Sequence, residues 1–238
     1  MFGELPTGAT VRAVASTEEA PTVEQRAAMH RALGDEHRLV IIDLLWRGDC
    51  TPAELQDATG LRSNLLAFHL NTLEDAGLVS RHPSHGDGRR RYVTLRPAAI
   101  PHVGPVAPLA ADCVLFVCTH NAARSQLAAA LWRHRSGREA VSAGTAPAAR
   151  VHPTAVAVAA DHGLDLSAAR PTHIEDVTIR PDLVVSVCDR AHETGLAIDA
   201  PHRHWSIPDP AGGDRATFEH AFDLIAERID RLAADTTA

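Results

Sequence analysis

The sequence predicts an α+β domain of four helices and a β-hairpin, followed by an α/β domain built on a doubly wound parallel sheet. Three observations carry this reading. Residues 51–76 pattern as a short helix, a glycine turn and a second helix, and residues 78–95 then pattern as a hairpin, which together make a winged helix-turn-helix. Residues 113–233 alternate apolar β-rich runs with helical segments, as βαβ units do. Between them, residues 97–112 hold four prolines and little beyond alanine, glycine and valine, the composition of a stiff linker.

The 238 residues suffice for two cores. A net charge of −7 argues against nucleic-acid binding on average, so any such surface must be a local basic patch. No apolar run approaches the length of a membrane span, and the N-terminus lacks a charged-then-apolar signal. A cytoplasmic protein with no membrane partner is therefore expected. The cysteines Cys50, Cys113, Cys118 and Cys188 are too sparse for a disulfide scaffold and read as reduced thiols.

In chain order, residues 1–22 are small, polar and acidic without a sustained period, the pattern of a flexible arm. Structure begins near Val23. Apolar residues at helical spacing mark helices over 23–33 and 35–47, stopped by Gly34 and Gly48. Thr51-Pro-Ala-Glu54 supplies a capping hydroxyl, a proline at the first helical position and the glutamate of a capping box, so a third helix starts there and ends by Gly60. A fourth, over 63–76, puts Leu66, Leu70 and Leu73 on one face and Ser63, Asn64, Ala67, Phe68 and Asn71 largely on the other. His69 reads as a packed or surface histidine rather than a metal ligand. The hairpin runs from 78–82 through His85-Gly-Asp-Gly88 to 89–95.

Across residues 62–96, arginines outnumber the acids Glu74, Asp75 and Asp87, which places the basic patch where phosphates would be met. The candidate DNA-contacting residues are Arg62, Ser63, Asn64, Ala67, Phe68, Asn71, Arg89, Arg90 and Arg91. Ser63, Asn64 and Asn71 suit base edges, and Phe68 suits a thymine methyl. This order of elements, with Leu70-Asn-Thr-Leu-Glu-Asp-Ala-Gly-Leu-Val79, resembles the small winged-helix repressors that respond to arsenic and other metals, over residues 23–96. The resemblance implies operator DNA as a partner and a homodimer that reads paired half-sites. The arsenic-sensing relatives often place two cysteines one residue apart at the start of the third helix, a soft ligand set for trivalent arsenic. Here only Cys50 stands there, so it reads as an ordinary half-buried cysteine, with a metal role left as the alternative.

The second domain centres on Cys118-Thr-His-Asn-Ala-Ala-Arg124-Ser125, between the apolar run Cys113-Val-Leu-Phe-Val117 and an alanine-rich helix. Strand, compact loop and helix aim a turn of backbone N–H groups and a helix N-terminus at one point, which suits a tetrahedral oxyanion. Residues Thr119, His120, Asn121, Ala122, Ala123 and Ser125 form that anion loop. The helix dipole and the Arg124 guanidinium favour a Cys118 thiolate, which is the candidate nucleophile. Arg124 offers a planar fork to two anion oxygens, and the Ser125 hydroxyl can donate to the sulfur. Further on, strands are expected at 140–145, 183–187 and 204–207, with helices near 154–162 and 217–233. A ligand belongs at the carboxyl ends of such strands, where Cys118, Cys188 and Asp209 should converge.

Cysteine, five residues, arginine and serine after a strand resembles the low-molecular-weight tyrosine phosphatase fold and the arsenate reductases built on it. Ser142-Ala-Gly-Thr145, Asp182-Leu-Val-Val-Ser-Val-Cys188 and Trp205-Ser-Ile-Pro-Asp209-Pro210 follow in that family's order, so the resemblance covers residues 113–233 within a domain of 113–238. It implies Asp209 as the general acid, Asn121 and Ser142 as braces of the loop, and Cys188 as a second redox thiol.

Phosphatases of this fold wall the substrate ring with aromatics where this chain has Ala146-Pro-Ala-Ala-Arg150 and Ala211-Gly-Gly-Asp214, and Arg124-Ser-Gln126 resembles the reductases. The expected activity is therefore thiol-dependent arsenate reduction in arsenic resistance, with phosphatase action as a side reaction. The alternatives are a phosphatase acting on a non-aromatic phosphate, or a regulator that senses an oxyanion without turnover. No bound cofactor is expected. Thioredoxin-linked relatives carry a third cysteine where Ala191-His-Glu-Thr-Gly195 has none, which favours an external low-molecular-weight thiol with a glutaredoxin-like protein over thioredoxin.

Overall fold

The computed structural model describes residues 22–86, 88–96, 109–234 and 236–237. Most of the expected arm and linker, and Asp87 in the hairpin turn, lie outside the described residues. Thr22, assigned to the arm by its composition, is instead the N-cap of the first helix. Its hydroxyl accepts from Gln25 N at 3.2 Å, and the Gln25 side chain accepts from Thr22 N at 2.7 Å.

The first domain is α1 (Val23–Leu33), α2 (Glu36–Arg47), α3 (Pro52–Thr59) and α4 (Ser63–Asp75), then the antiparallel hairpin β1 (Val79–Pro83) and β2 (Arg91–Leu95). Helix α2 starts one residue later than the apolar spacing suggests because Asp35 caps it, accepting from Arg38 N at 3.1 Å. The capping box of α3 forms as expected. Gly60 closes the helix at φ 68°, a left-handed turn that costs glycine least and delivers the chain to α4. Leu66, Leu70 and Leu73 of α4 are buried against Ile41, Leu45 and Leu55. Each such side chain contributes about 1.5–3 kcal/mol by leaving water.

The second domain holds four parallel strands, β4 (Cys113–Cys118), β5 (Glu139–Gly144), β6 (Leu183–Ser186) and β7 (His202–His204), in the order β5-β4-β6-β7. The chain steps from β4 to one side for β5 and returns to the other side for β6. The resulting crevice opens beyond the carboxyl ends of β4 and β6, where ligands of such sheets bind. Helix α5 (Arg124–Ser136) is buried along its first nine residues between the sheet and the long α8 (Arg215–Ala234), which presents Phe218, Phe222, Ile225 and Ile229 at helical spacing. Helices α6 (Pro153–Asp161) and α7 (Asp189–Glu193) complete the layers.

Beyond shifts of a residue or two at element ends, three further boundaries differ from the sequence reading for a structural reason. Strand β3 (Leu109–Ala110), placed in the linker by composition, pairs in parallel with β8 (Thr236–Thr237), and Ala111 is fully buried. Strand β7 lies earlier than 204–207 because Val184 N already donates to Pro201 O, while Ser206 N is taken by Asp49 of the first domain. Helix α8 starts at Arg215, ahead of Thr217, because Asp214 accepts from Thr217 N at 3.0 Å.

The two domains are docked against each other. The wing and the α2–α3 corner meet β7, α7 and α8. His85 N donates to Asp189 Oδ2 at 2.6 Å, His82 pairs with Ser206 at 2.9 Å, and His192 pairs with Glu54 at 3.1 Å. The buried Tyr92 ring lies 4.7 Å from that of His204. Gly48 is needed here for space, since a Cβ would sit 2.8 Å from His204 O.

Candidate active site

The loop between β4 and α5 turns every carbonyl outward. Thr145 N, Ala146 N, Ala148 N and His152 N donate to the carbonyls of Cys118, Thr119, His120 and Ala122 at 2.8–3.2 Å. Gln126 Nε2 donates to Asn121 O, and Leu127 N to Ala123 O. With the acceptors engaged on the outside, the N–H groups are left for the concave side, as an oxyanion requires. Asn121 N donates to Cys118 Sγ at 3.1 Å. Asn121 adopts φ 48°, the only positive φ at a non-glycine among the described residues and one that asparagine tolerates.

Cys118 is 2% exposed, and its sulfur lies 3.0 Å from Ser125 Oγ. Asn121 Nδ2 donates to that hydroxyl at 2.8 Å, while Asn121 Oδ1 accepts from Gln126 Nε2 and Thr172 N, which fixes the amide orientation. The Ser125 proton is thereby free to point at the sulfur. Arg124 is buried, with one guanidinium nitrogen donating to Ile207 O at 2.9 Å and another 2.8 Å from Asp209 Oδ2. The site thus assembles a thiol, a hydroxyl aimed at it, a fixed cation and a half-exposed carboxylate at the mouth of an N–H-lined bowl.

The comparisons agree with this geometry. A family model described as low molecular weight phosphotyrosine protein phosphatase matches residues 113–238, more than half of the chain. The chain belongs to that family. A helix-turn-helix domain model matches residues 33–82. A glutaredoxin arsenate reductase of Synechocystis is 30% identical over 131 residues, covering 51% of this chain and 95% of the relative. An arsenate reductase of Bacillus cereus (strain Q1) is 34% identical over 128 residues, covering 50% and 92%. Among solved structures, an arsenate reductase from Archaeoglobus fulgidus is 36% identical, covering 51% of this chain and 98% of that one at a TM-score of 0.47.

Within this low-molecular-weight phosphatase domain, Thr119 and Ala123 are buried, Ala122 is half-buried and His120 is exposed. Cys188 sits beside the loop, its Sγ 3.4 Å from Thr119 Oγ1, and caps α7 by accepting from Ala191 N at 3.4 Å. Burial pushes the Cys188 thiol up, against the opposing pull of Arg124. Ser142 does not brace the loop. It pairs with Phe116, one pleat repeat below the loop, and its hydroxyl makes no hydrogen bond to it. Gly144 takes the close position, where a Cβ would be 2.7 Å from Thr119 O. Local patterning does not reveal the brace that Thr172 N gives Asn121, nor the tie from Gln126 to Arg170 O, because the 170–172 segment is remote in sequence from the loop.

On the first domain, Arg62, Asn64, Ala67, Phe68 and Asn71 share one exposed face of α4, and Phe68 is 60% exposed. Ser63 is exposed too, but its hydroxyl donates to Gln56 at 2.9 Å and so ties α4 to α3. Asn71 accepts from Arg81, which also pairs with Glu74. Arg89, Arg90 and Arg91 lie exposed at the wing. Cys50 bridges Val93 through both backbone groups, and its half-buried thiol is pushed up to about 12 by burial, with Glu54 and Asp49 adding to the shift. That is the behaviour of a structural cysteine.

Proposed function

We propose that this protein is a cytoplasmic arsenate reductase fused to an operator-binding repressor domain, serving arsenic resistance. The observation that carries the reading is the Cys118–Ser125–Arg124–Asp209 cluster in a loop whose carbonyls all face away from the anion. The names of the relatives support arsenate over phosphate esters as the substrate. So does the absence of an aromatic side chain along residues 146–150 and 211–214.

In this mechanism the loop N–H groups and Arg124 hold arsenate, and the Cys118 thiolate attacks arsenic. One arsenic–oxygen bond breaks and Asp209 protonates the oxygen, which leaves as water. A second thiolate then attacks the Cys118 sulfur of the adduct. The sulfur–arsenic electron pair passes to arsenic, which is reduced and released as arsenite, and a disulfide remains. Cys188 is buried, poorly ionised and committed to capping α7, which favours an external small thiol with a glutaredoxin-like partner as the second thiolate, with thioredoxin as the alternative donor. Incubating the protein with arsenate and each reductant while following arsenite tests the reading, and no arsenite under any reductant would refute it.

On the first domain, α4 reads the major groove with Asn64, Phe68 and Asn71, and Arg62 and the wing arginines meet phosphates. Binding as a homodimer through the first domain is part of this reading, and the exposed Val23, Leu39 and Val40 of α1 and α2 suit a subunit contact. Among the described residues no helix is long and apolar enough to cross a membrane.

A further inference from the structure

Asp35, His37 and His69 bring one carboxylate oxygen and two imidazole nitrogens within 4.8 Å of one another, where the α1–α2 corner faces α4. His69 is 4% exposed, and neither of its ring nitrogens has a hydrogen-bond partner. Buried polar atoms are nearly always partnered, and leaving one without a partner costs about 1–3 kcal/mol. His69 Nδ1 is 3.7 Å from Asp35 Oδ1, and His37 Nδ1 is 3.9 Å from the same oxygen. Those gaps are too wide for hydrogen bonds. A tetrahedron whose corners lie about 2.0–2.1 Å from a central zinc ion has an edge of about 3.3–3.4 Å, so side-chain shifts of roughly half an ångström bring these donors onto one.

We propose that Asp35, His37 and His69 form a binding site for a divalent transition cation of the zinc class, with solvent in the fourth position.

The surrounding residues leave these donors available. Asp35 Oδ1 accepts the cap bond from Arg38 N at 3.1 Å and keeps a second lone pair towards the histidines, while Oδ2 faces the Arg38 guanidinium at 3.7 Å. Arg38 Nε is committed to Ala32 O. The His37 and His69 rings stack at 5.4 Å, and the Phe68 ring meets His69 edge-on at 5.7 Å. Burial, opposed by Asp35, lowers the His69 pKa and so favours the neutral ring that a metal takes. Two imidazoles and one carboxylate suit zinc-type ions. Calcium and magnesium ask for more oxygens, and trivalent arsenic asks for thiolates, which this cluster lacks. The sequence reading of His69 as a packed residue holds for its burial. What the helical pattern could not show is that α4 presents it to two donors at a corner more than thirty residues earlier. If α4 is the DNA-reading helix, a bound cation would tie that helix to the α1–α2 corner.

The test uses the full chain, stripped with a chelator and titrated with Co2+, with Zn2+ as competitor. One saturable equivalent should give the visible bands of four-coordinate Co2+ without near-ultraviolet thiolate charge transfer, and Zn2+ should abolish them. With 15 histidines in the chain, the comparison with variants isolates the site. His37→Ala alters a half-exposed side chain and should lose these bands with helical circular dichroism unchanged. Asp35→Asn keeps a capping oxygen and should weaken them. Bands that persist unchanged in both variants, charge transfer from thiolate, or no four-coordinate spectrum in the parent protein would overturn the proposal.

Discussion

Asp49 and Arg228 form an ion pair across the domain boundary, 2.8 Å apart with side chains only 4% and 7% exposed. The same carboxylate oxygen accepts from Ser206 N at 2.7 Å, and Asp49 N donates to His204 O at 2.7 Å. Removing one partner of a buried pair strands the other charge, at a cost of about 3–5 kcal/mol. Asp49→Ala should therefore lower stability on that scale and separate the unfolding of the two domains. Calorimetry checks this, and an unchanged single transition would show that the docking contributes nothing.

Cys118→Ser should abolish arsenite production while leaving the circular dichroism and DNA binding of the parent, since an alcohol neither ionises at neutral pH nor forms the thiol adduct. Asp209→Asn should slow turnover about a hundredfold, the usual scale of a general acid. Arsenite release at the parent rate by the Cys118 variant would sink the enzymatic reading.

Cys188→Ser separates the two electron routes. With a small thiol and a glutaredoxin-like protein, steady-state arsenite release should stay near the parent rate, because the external thiol attacks in place of Cys188. Full activity of the parent with thioredoxin alone, lost in Cys188→Ser, would instead establish an internal disulfide.

The full chain should bind a short palindromic DNA less tightly as salt rises, because cations at the phosphates release counterions. Replacing Arg89, Arg90 and Arg91 with alanine should flatten that salt slope in gel-shift titrations. An unchanged slope would remove the wing from the interface.

Asp189 and Glu54 line the domain boundary and are both held at about 2, below 3.8 and 4.5 respectively. Burial alone would raise each. It is outweighed at Asp189 by hydrogen bonds from His204, Ser206 and His85 N, and at Glu54 by those from His192 and Thr51. The unfolded chain then binds more protons, so this stabilisation is complete above about pH 4.5 and is lost as the pH falls through about 2. Thermal midpoints of Asp189→Asn with Glu54→Gln should depend less on pH over that window, with the half-exposed Glu54 contributing the smaller share. An identical pH slope would contradict the assignment.

Much of the site was legible because its determinants are local. The capping box at Thr51 and Glu54, the Gly60 stop, and the spacing of Cys118, Arg124 and Ser125 after an apolar strand all act within one or two turns of chain. Backbone hydrogen bonding and side-chain period operate over that range. Tertiary structure alone decided the extent of β7, the pairing of β3 with β8 and the brace from Gln126 to Arg170 O. It alone also joined Asp49 to Arg228, residues 179 positions apart. Contacts of that span leave no periodic trace in a sequence, because each partner obeys its own element's local rules and the two meet only when the elements pack.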